Sequence, residues 1–304
     1  MKGEFVNLPL QNEENTVVYA GMYTDDASVK TVVIPEGMRE IGENAFRGFE
    51  NLTEVILPRS LERISASAFA GCNNLKRVAM EWGLLEIGDE AFSSCPSLLS
   101  VNMPDTVKHI GEGAFEGCAS LSSLKLSESV YMIGAGAFAF CFNLTDVIIP
   151  SSCVLLEFNA FFSCFSLEAV KLSDNMGLID ESTFEGCRSL KIVDMPSRLK
   201  KIGRRAFRGC SSLGSVILPV GTEHIGYDAF VDCSSLRRIA MPKGLRELED
   251  ADVFAGCDSL SEISFGGSKE AFELLTRGEG IKIKRSDLTL AIPKINIMDL
   301  KDEI

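Results

Sequence analysis

Ten cysteines, two histidines and one dense run of basic residues are the side chains here with the most chemistry in them. Nine of the cysteines keep a fixed interval: Cys72, Cys95, Cys118, Cys141, Cys164, Cys187, Cys210 and Cys233 are 23 residues apart, and Cys257 follows after 24. Structural zinc sites gather cysteines at short spacings such as C-x2-C, and none occurs. If the interval marks stacked rungs about 4.8 Å apart, neighbouring Cα atoms come within disulfide reach, but parallel inward side chains point the wrong way to pair. Free, buried thiols acting as small hydrophobes are expected instead, and Cys153, at the position of Val107 and Val130, should join them. His109 and His224 fall at one repeat position five rungs apart, about 24 Å, too far to share a metal or a substrate, and are expected to face solvent. There is no third histidine, no nucleophile-elbow motif and no phosphate-cradling G-x-x-x-x-G-K-[ST]. The sequence therefore predicts no enzyme, no catalytic residue, no metal and no cofactor.

The basic run comprises Arg188, Lys191, Arg198, Lys200, Lys201, Arg204, Arg205 and Arg208, against Asp194 alone. Polyanion binding through 188–208 is one reading. The 23-residue register suggests another, because it sets Glu181 beside Arg204, Glu185 beside Arg208, Asp228 beside Arg205 and Glu223 beside Lys200, pairs of the cross-strand kind. The whole chain of 304 residues carries a net charge of −13, with 46% hydrophobic and 24% charged residues. That suits a folded protein and disfavours a general binder of nucleic acid or anionic membrane. No apolar run is long enough to insert in a membrane, and the opening MKGEFVNLPLQNEEN has no signal core.

A fixed period decides the architecture before any local reading. Ten units begin at Val32, Val55, Val78, Val101, Leu124, Val147, Val170, Val193, Val216 and Ile239, the tenth with one extra residue near Asp252. In the unit Val101–Ser123, Val101 and Met103 alternate with a polar residue, as in a half-buried strand. Pro follows in seven of ten units and ends the strand. Gly111 permits a tight turn, and Ala114-Phe115-x-x-Cys118-x-x-Leu121 has the spacing of a short helical turn with one buried face. The ten Phe from Phe46 to Phe254 form a core ladder. No unit buries its apolar side alone, so stacking is obligatory.

These residues resemble one known group. The segments IGENAF, IGDEAF, IGEGAF, IGAGAF and IGRRAF, within a pattern close to LxxVxIPxxVxxIGxxAFxxCxxL from about Val32 to Leu260, resemble the BspA-like, or treponemal-type, bacterial leucine-rich repeats. LEFNAF and IDESTF in the sixth and seventh units depart from it. The resemblance implies a right-handed, curved leucine-rich-repeat solenoid of short strands and short helical turns. It also implies a non-enzymatic role, often in adhesion or host-protein binding at a bacterial surface, and so favours a surface or secreted location; it names no ligand. The missing signal and the many thiols permit an intracellular interaction scaffold instead.

The expected division is a strand or hairpin cap over 1–31, ten repeats over 32–262, and a cap and tail over 263–304. VVYAG and VKTVVIP flank YTDDAS as a hairpin would. ISFGGSKEAFELL starts like an eleventh unit and turns into a strand and short helix; the remainder adds edge strands or trails as a tail.

Two surfaces are candidates for a protein or glycan partner. Between Leu124 and Ala169 only 5 of 46 residues are charged. There Phe140, Phe142, Phe162 and Phe165, with Tyr131, Met132, Val154 and Leu155, take positions that other units keep polar or small, and are expected to merge into one patch across repeats five and six, suited to a partner or to a homodimer. The strand face expected to be concave carries Lys76, Arg77, Arg237 and Arg238 in a strip of net charge +3, which would favour an acidic partner.

Overall fold

The computed structural model describes residues 5–7, 16–20, 22, 29–249, 252–275 and 289–291. Each unit makes two short strands, and wherever a strand pairs with its equivalent one unit on, it does so in parallel and in register; the first strands form four such ladders and the second strands two. In the fourth unit these are Ser100–Asn102 and His109–Ile110. Val101 aligns with Leu124, and Ile110 with Ile87 on one side and Ile133 on the other. The second strands run as one seven-stranded ribbon from Val17–Val18 to Leu155–Leu156. Val101 and Met103 are buried while Asn102 is exposed, the expected alternation. Met103 N donates to Lys125 O (3.0 Å), after which Pro104 has no N–H to continue the ladder.

The Ala-Phe-x-x-Cys stretch does not become a helix. It is a run of turns in which an N–H bonds the carbonyl three residues back, as Cys118 N does to Phe115 O (3.2 Å). Left-handed residues interrupt it at two places per unit, Gly113 (φ 56°) and Gly117 (φ 72°) in the fourth. A continuing α-helix cannot pass such residues. The N–H groups they free turn to the next unit: Gly113 N to Ala135 O (2.8 Å), Phe115 N to Ala137 O (2.8 Å), Gly117 N to Ala139 O (2.9 Å). The turn side is therefore a third rung-to-rung ladder. Among the described residues the one α-helix is Lys269–Leu275.

Gly111 serves a different purpose from the tight turn expected of it. Its φ is ordinary, but a Cβ there would strike the backbone of Asp89; at the equivalent Gly134 a Cβ would stand 2.7 Å from Glu112 N. Where glycine stands, the unit closes on its neighbour at this point too tightly for a Cβ; Ser65, Glu157, Asp180 and Glu249 hold the same position in other units.

Inside, the ten Phe rings from Phe46 to Phe254 stack face to face with centroids 5.1–5.8 Å apart and planes within 1–19°. The periodic cysteines complete this spine. Each thiol donates to the carbonyl oxygen of the Phe one unit earlier, from Cys72 Sγ to Phe46 O (3.1 Å) through Cys118 Sγ to Phe92 O (3.3 Å) to Cys257 Sγ to Phe230 O (3.1 Å). The first unit has Phe49 where later units have cysteine. It stands edge-on to Phe46 (5.4 Å, 81°) and closes the end of the stack.

The front end is a further rung and not the hairpin expected over VVYAG and VKTVVIP. Val17–Val18 pairs in parallel with Glu40–Ile41, and Phe5–Asn7 in parallel with Thr31–Val33, whereas a hairpin pairs its arms antiparallel. YTDDAS lies outside the described residues. At the back, Glu262–Phe265 adds a strand beside Arg238–Met241, the helix follows, and Thr289–Ala291 pairs in parallel with Glu262–Ser264.

All ten cysteines are free and buried. Burial holds the thiols protonated: Cys118 is pushed up to about 12 and Cys153 to about 11 from an ordinary 9.0. Because the folded thiol ionises later than the unfolded one, this contribution to stability is complete below pH 9.0 and is lost as pH rises toward about 12. Denaturant melts should show falling stability across that window. Thiol titration should label few cysteines in the native protein and all ten once it is denatured without reductant. In the spine itself, Phe115→Ala should cost about 3–5 kcal/mol in equilibrium unfolding, since the rings above and below cannot close the gap.

Candidate functional site

The sixth unit departs from the others on its turn side, and the fifth with it. Phe142 stacks on Phe165 with centroids 4.9 Å apart and planes at 10°. Phe140 meets Phe142 (6.2 Å) and Phe162 (5.3 Å) edge-to-face. Arg188 lays its guanidinium 4.8 Å above the Phe165 ring, a cation–π contact that closes the cluster toward the seventh unit. Phe140, Phe162 and Phe165 are half-buried and Phe142 is exposed.

Phe140 sits at a left-handed position, φ 61°, where Gly48, Gly71, Gly117, Gly186, Gly209 and Gly256 stand in other units. A side chain there costs about 1–2 kcal/mol of backbone strain. The ring it holds in place is the hub of the cluster, touching Phe142 within its own unit and Phe162 in the next.

Tyr131, Met132, Val154 and Leu155 form a separate group on the ribbon of second strands. Met132 aligns with Leu155, and Val154 N donates to Tyr131 O (3.1 Å). Tyr131 and Val154 are exposed, Met132 and Leu155 half-buried, and Tyr131 stacks at 6.3 Å on His109. The two groups stand on different elements of the rung, so the structure presents two apolar surfaces where one merged patch was expected.

Other exposed apolar side chains were missed by the sequence reading. Phe158 is 48% exposed at a position where the neighbouring units place Ala135 and Glu181. On the sheet of first strands, Ile148, Ile192 and Ile217 are each more than half exposed. Ile148 and Ile217 take the outward position where Asn102, Lys125 and Asp194 stand in other units, and Ile192 takes the outward position two residues earlier, where Ser100, Ser123 and Ala169 stand.

The charged candidates also lie along the first strands, Arg77 and Arg238 on strands and Lys76 and Arg237 just before them. Lys76, Arg77, Arg237 and Arg238 are exposed; Arg77 pairs with Glu54 (3.1 Å), and Arg238 reaches Glu262 (3.9 Å). The basic run is largely engaged within the chain. Lys191 pairs with Glu168 (2.9 Å), Lys200 with Glu223 (3.2 Å), Lys201 with Glu249 (3.5 Å), and Arg205 and Arg208 both with Asp228 (3.3 Å). Two of the expected ladder pairs thus form, Lys200–Glu223 and Arg205–Asp228. Glu185 instead accepts the Ser182 hydroxyl (2.7 Å) while Arg208 turns to Asp228.

Both histidines are half-buried, partly exposed to solvent and partly covered by a neighbour. Stacking on Tyr131 covers His109, and the Nδ1 of His224 lies 3.1 Å from Glu247. His224 and Glu247 line a cavity of about 390 Å³ whose far wall is Ala271, Leu274 and Leu275 of the helix. Among the described residues, no three His, Cys, Asp or Glu side chains gather as metal ligands, and no helix is long and apolar enough to cross a membrane.

Comparison with known proteins agrees with this architecture. The chain matches the BspA type leucine-rich repeat region, in six copies, over 16–131, 85–213 and 155–273. It resembles a leucine-rich repeat protein from Bacteroides ovatus (25% identity, 94% of this chain and 91% of that one, TM-score 0.48). It also resembles the T. pallidum leucine-rich repeat protein (30% identity, 60% and 77%, TM-score 0.46). The pneumococcal vaccine antigen PcpA shares the fold at 20% identity, with 89% and 80% of the two chains covered and a TM-score of 0.56. None of the curated proteins matches. With the repeat matched without a break from 16 to 273 and its rungs stacked as described, the chain belongs to the family of BspA-type leucine-rich repeat proteins.

Proposed function

We propose that this chain is a non-enzymatic recognition protein that binds a protein partner, or a second copy of itself, through the aromatic cluster of the fifth and sixth units. The observation that carries the reading is Phe140. A left-handed residue holds a large, half-buried ring beneath the exposed Phe142, at a position that glycine fills in six other units and Ser94, Ser163 and Asp232 in three. Such strain is tolerated where the ring has a use outside the rung. A few exposed aromatics are enough to centre an interface, because burying one large ring is worth roughly 1.5–3 kcal/mol. A leucine-rich solenoid serves protein interaction generally, and the adhesive role that the resemblance implies is one use of such a surface.

The test is the double change Phe142→Glu and Phe165→Glu. Light scattering should show lost self-association or lost partner binding, with the melting temperature kept. A large drop in melting temperature would place these rings in the core and remove the surface.

A second contact is supported by the sheet of first strands, where Lys76, Arg77, Arg237 and Arg238 stand exposed in an otherwise acidic protein. An acidic protein should bind this strip weakly and release it as salt rises. Charge reversal at the four positions should abolish that binding; titration curves identical to wild type would refute it.

A further inference from the structure

The turn side carries a pattern that the Phe cluster alone does not explain. Backbone hydrogen bonds fix its order from unit to unit: Glu90 N to Glu112 O (2.7 Å), Gly113 N to Ala135 O (2.8 Å), Gly136 N to Phe158 O (3.0 Å), Asn159 N to Glu181 O (2.9 Å), Ser182 N to Arg204 O (2.8 Å). The accepting residues form a row that reads Glu112, Ala135, Phe158, Glu181, Arg204. Four residues further along each unit a second row is fixed in the same way: Ser94 N to Glu116 O (2.7 Å), Gly117 N to Ala139 O (2.9 Å), Phe140 N to Phe162 O (2.8 Å), Ser163 N to Glu185 O (2.7 Å), Gly186 N to Arg208 O (2.7 Å). This row reads Glu116, Ala139, Phe162, Glu185, Arg208. Both rows spell Glu, Ala, Phe, Glu, Arg.

We infer that this face pairs with a second copy of the chain, antiparallel, about a two-fold axis that crosses the solenoid at the sixth unit. In each row the Phe stands midway, with a Glu two units before it and an Arg two units after. Turning one copy end over end about that axis sets Phe158 and Phe162 against their own equivalents. It also brings Glu112 over Arg204 and Glu116 over Arg208 at both ends of the contact. A parallel pairing sets Glu on Glu and Arg on Arg, which like-charge repulsion forbids. Ala135 and Ala139 are small and buried, so at these two positions, which face Glu181 and Glu185 of the other copy, the fifth unit leaves room for longer side chains.

The charges needed are available in the first row; in the second, Glu116 and Arg208 are half-buried and Arg208 is shared with Asp228 (3.3 Å). Glu112 and Arg204 are exposed, and neither forms an ion pair within the chain among the described residues. Around Glu116 negative charge is crowded: its pKa is raised by burial first, then by Glu90 and Glu112. An arginine from outside would relieve that crowding.

The inference rests on the turn-side aromatics being a contact surface, and adds the occupant and its orientation. Glu112→Arg and Arg204→Glu test it in the full chain by sedimentation over a concentration series, with melting temperature as the check on folding. Wild type should dimerise, more weakly at high salt. Each variant alone meets like charge at both ends of the contact and should dimerise about tenfold more weakly or worse. An equimolar mixture of the two should recover wild-type association, because each reversed charge then faces its complement. If the single variants dimerise like wild type, or the mixture is no tighter than either alone, the antiparallel geometry is wrong while recognition through the Phe cluster stands. A wild type that stays monomeric at every concentration overturns self-pairing and leaves the cluster to a foreign partner, which the Phe142 and Phe165 exchange examines separately.

Discussion

The structure depends on the fixed register of one rung upon the next. Strand amides, turn amides and Phe carbonyls all find their partners one unit away. Phe115 N needs Ala137 O, and Phe92 O takes the thiol of Cys118. A rung taken alone would leave these groups unpaired and its Phe ring half in water, so stability resides in the interfaces between rungs. The ends follow from the same constraint. With no earlier periodic Phe to supply a carbonyl, the first unit uses Phe49 to cover the ring stack in place of a thiol. Both termini extend the strand ladders by parallel pairing.

The period was legible because it is carried by side chains that face inward and meet the same neighbours in every copy. Cysteine and Phe at 23-residue intervals revealed the core, the stacking and the burial of the thiols. What stayed hidden is what the backbone decides. Gly111 and Gly113 are two residues apart and look alike in sequence, yet one is required by close approach and the other sits at positive φ. The second strand of each unit, two residues such as His109–Ile110, is too short to show a period. The front end read as a hairpin because two apolar runs flanked a turn-forming stretch, and sequence adjacency cannot tell antiparallel from parallel partners. Of the candidate surface, the stacking of Phe142 on Phe165 followed directly from register. Its separation from Tyr131 did not, because that depends on the path of the chain around the rung.

Inward positions exchange one buried side chain for another, as Val107, Val130 and Cys153 do, whereas at outward positions the units differ by more than drift in polarity. The turn position held by Gly117 in the fourth unit is Phe140 in the fifth, Ser163 in the sixth and Asp232 in the ninth, all with positive φ. The backbone shape is thus kept by the stack itself, which overrides the local preference of the residue. That freedom lets a solenoid place a ring or a charge wherever its surface needs one without altering the core beneath.

Charge on this molecule obeys two length scales. On the ribbon of second strands and its flank, opposite charges lie one unit apart and meet inside the chain: Arg39 with Glu62 (3.0 Å), Arg63 with Glu86 (2.9 Å), Lys200 with Glu223 (3.2 Å). Those rows are satisfied and give a partner little to hold. On the turn side, the residues one unit from Glu112 in its row are Asp89 and Ala135, and those beside Glu116 are Ser93 and Ala139. The arginines of both rows stand four units away, with each unit 5.1–5.8 Å deep at the Phe ladder. That separation is well beyond the roughly 8 Å over which exposed charges feel one another in physiological salt. Arg208 already shares Asp228, whereas Glu112 and Arg204, held apart on one face with Phe158 between them, do not neutralise each other. They remain a pattern that only a surface of matching length and reversed order can meet.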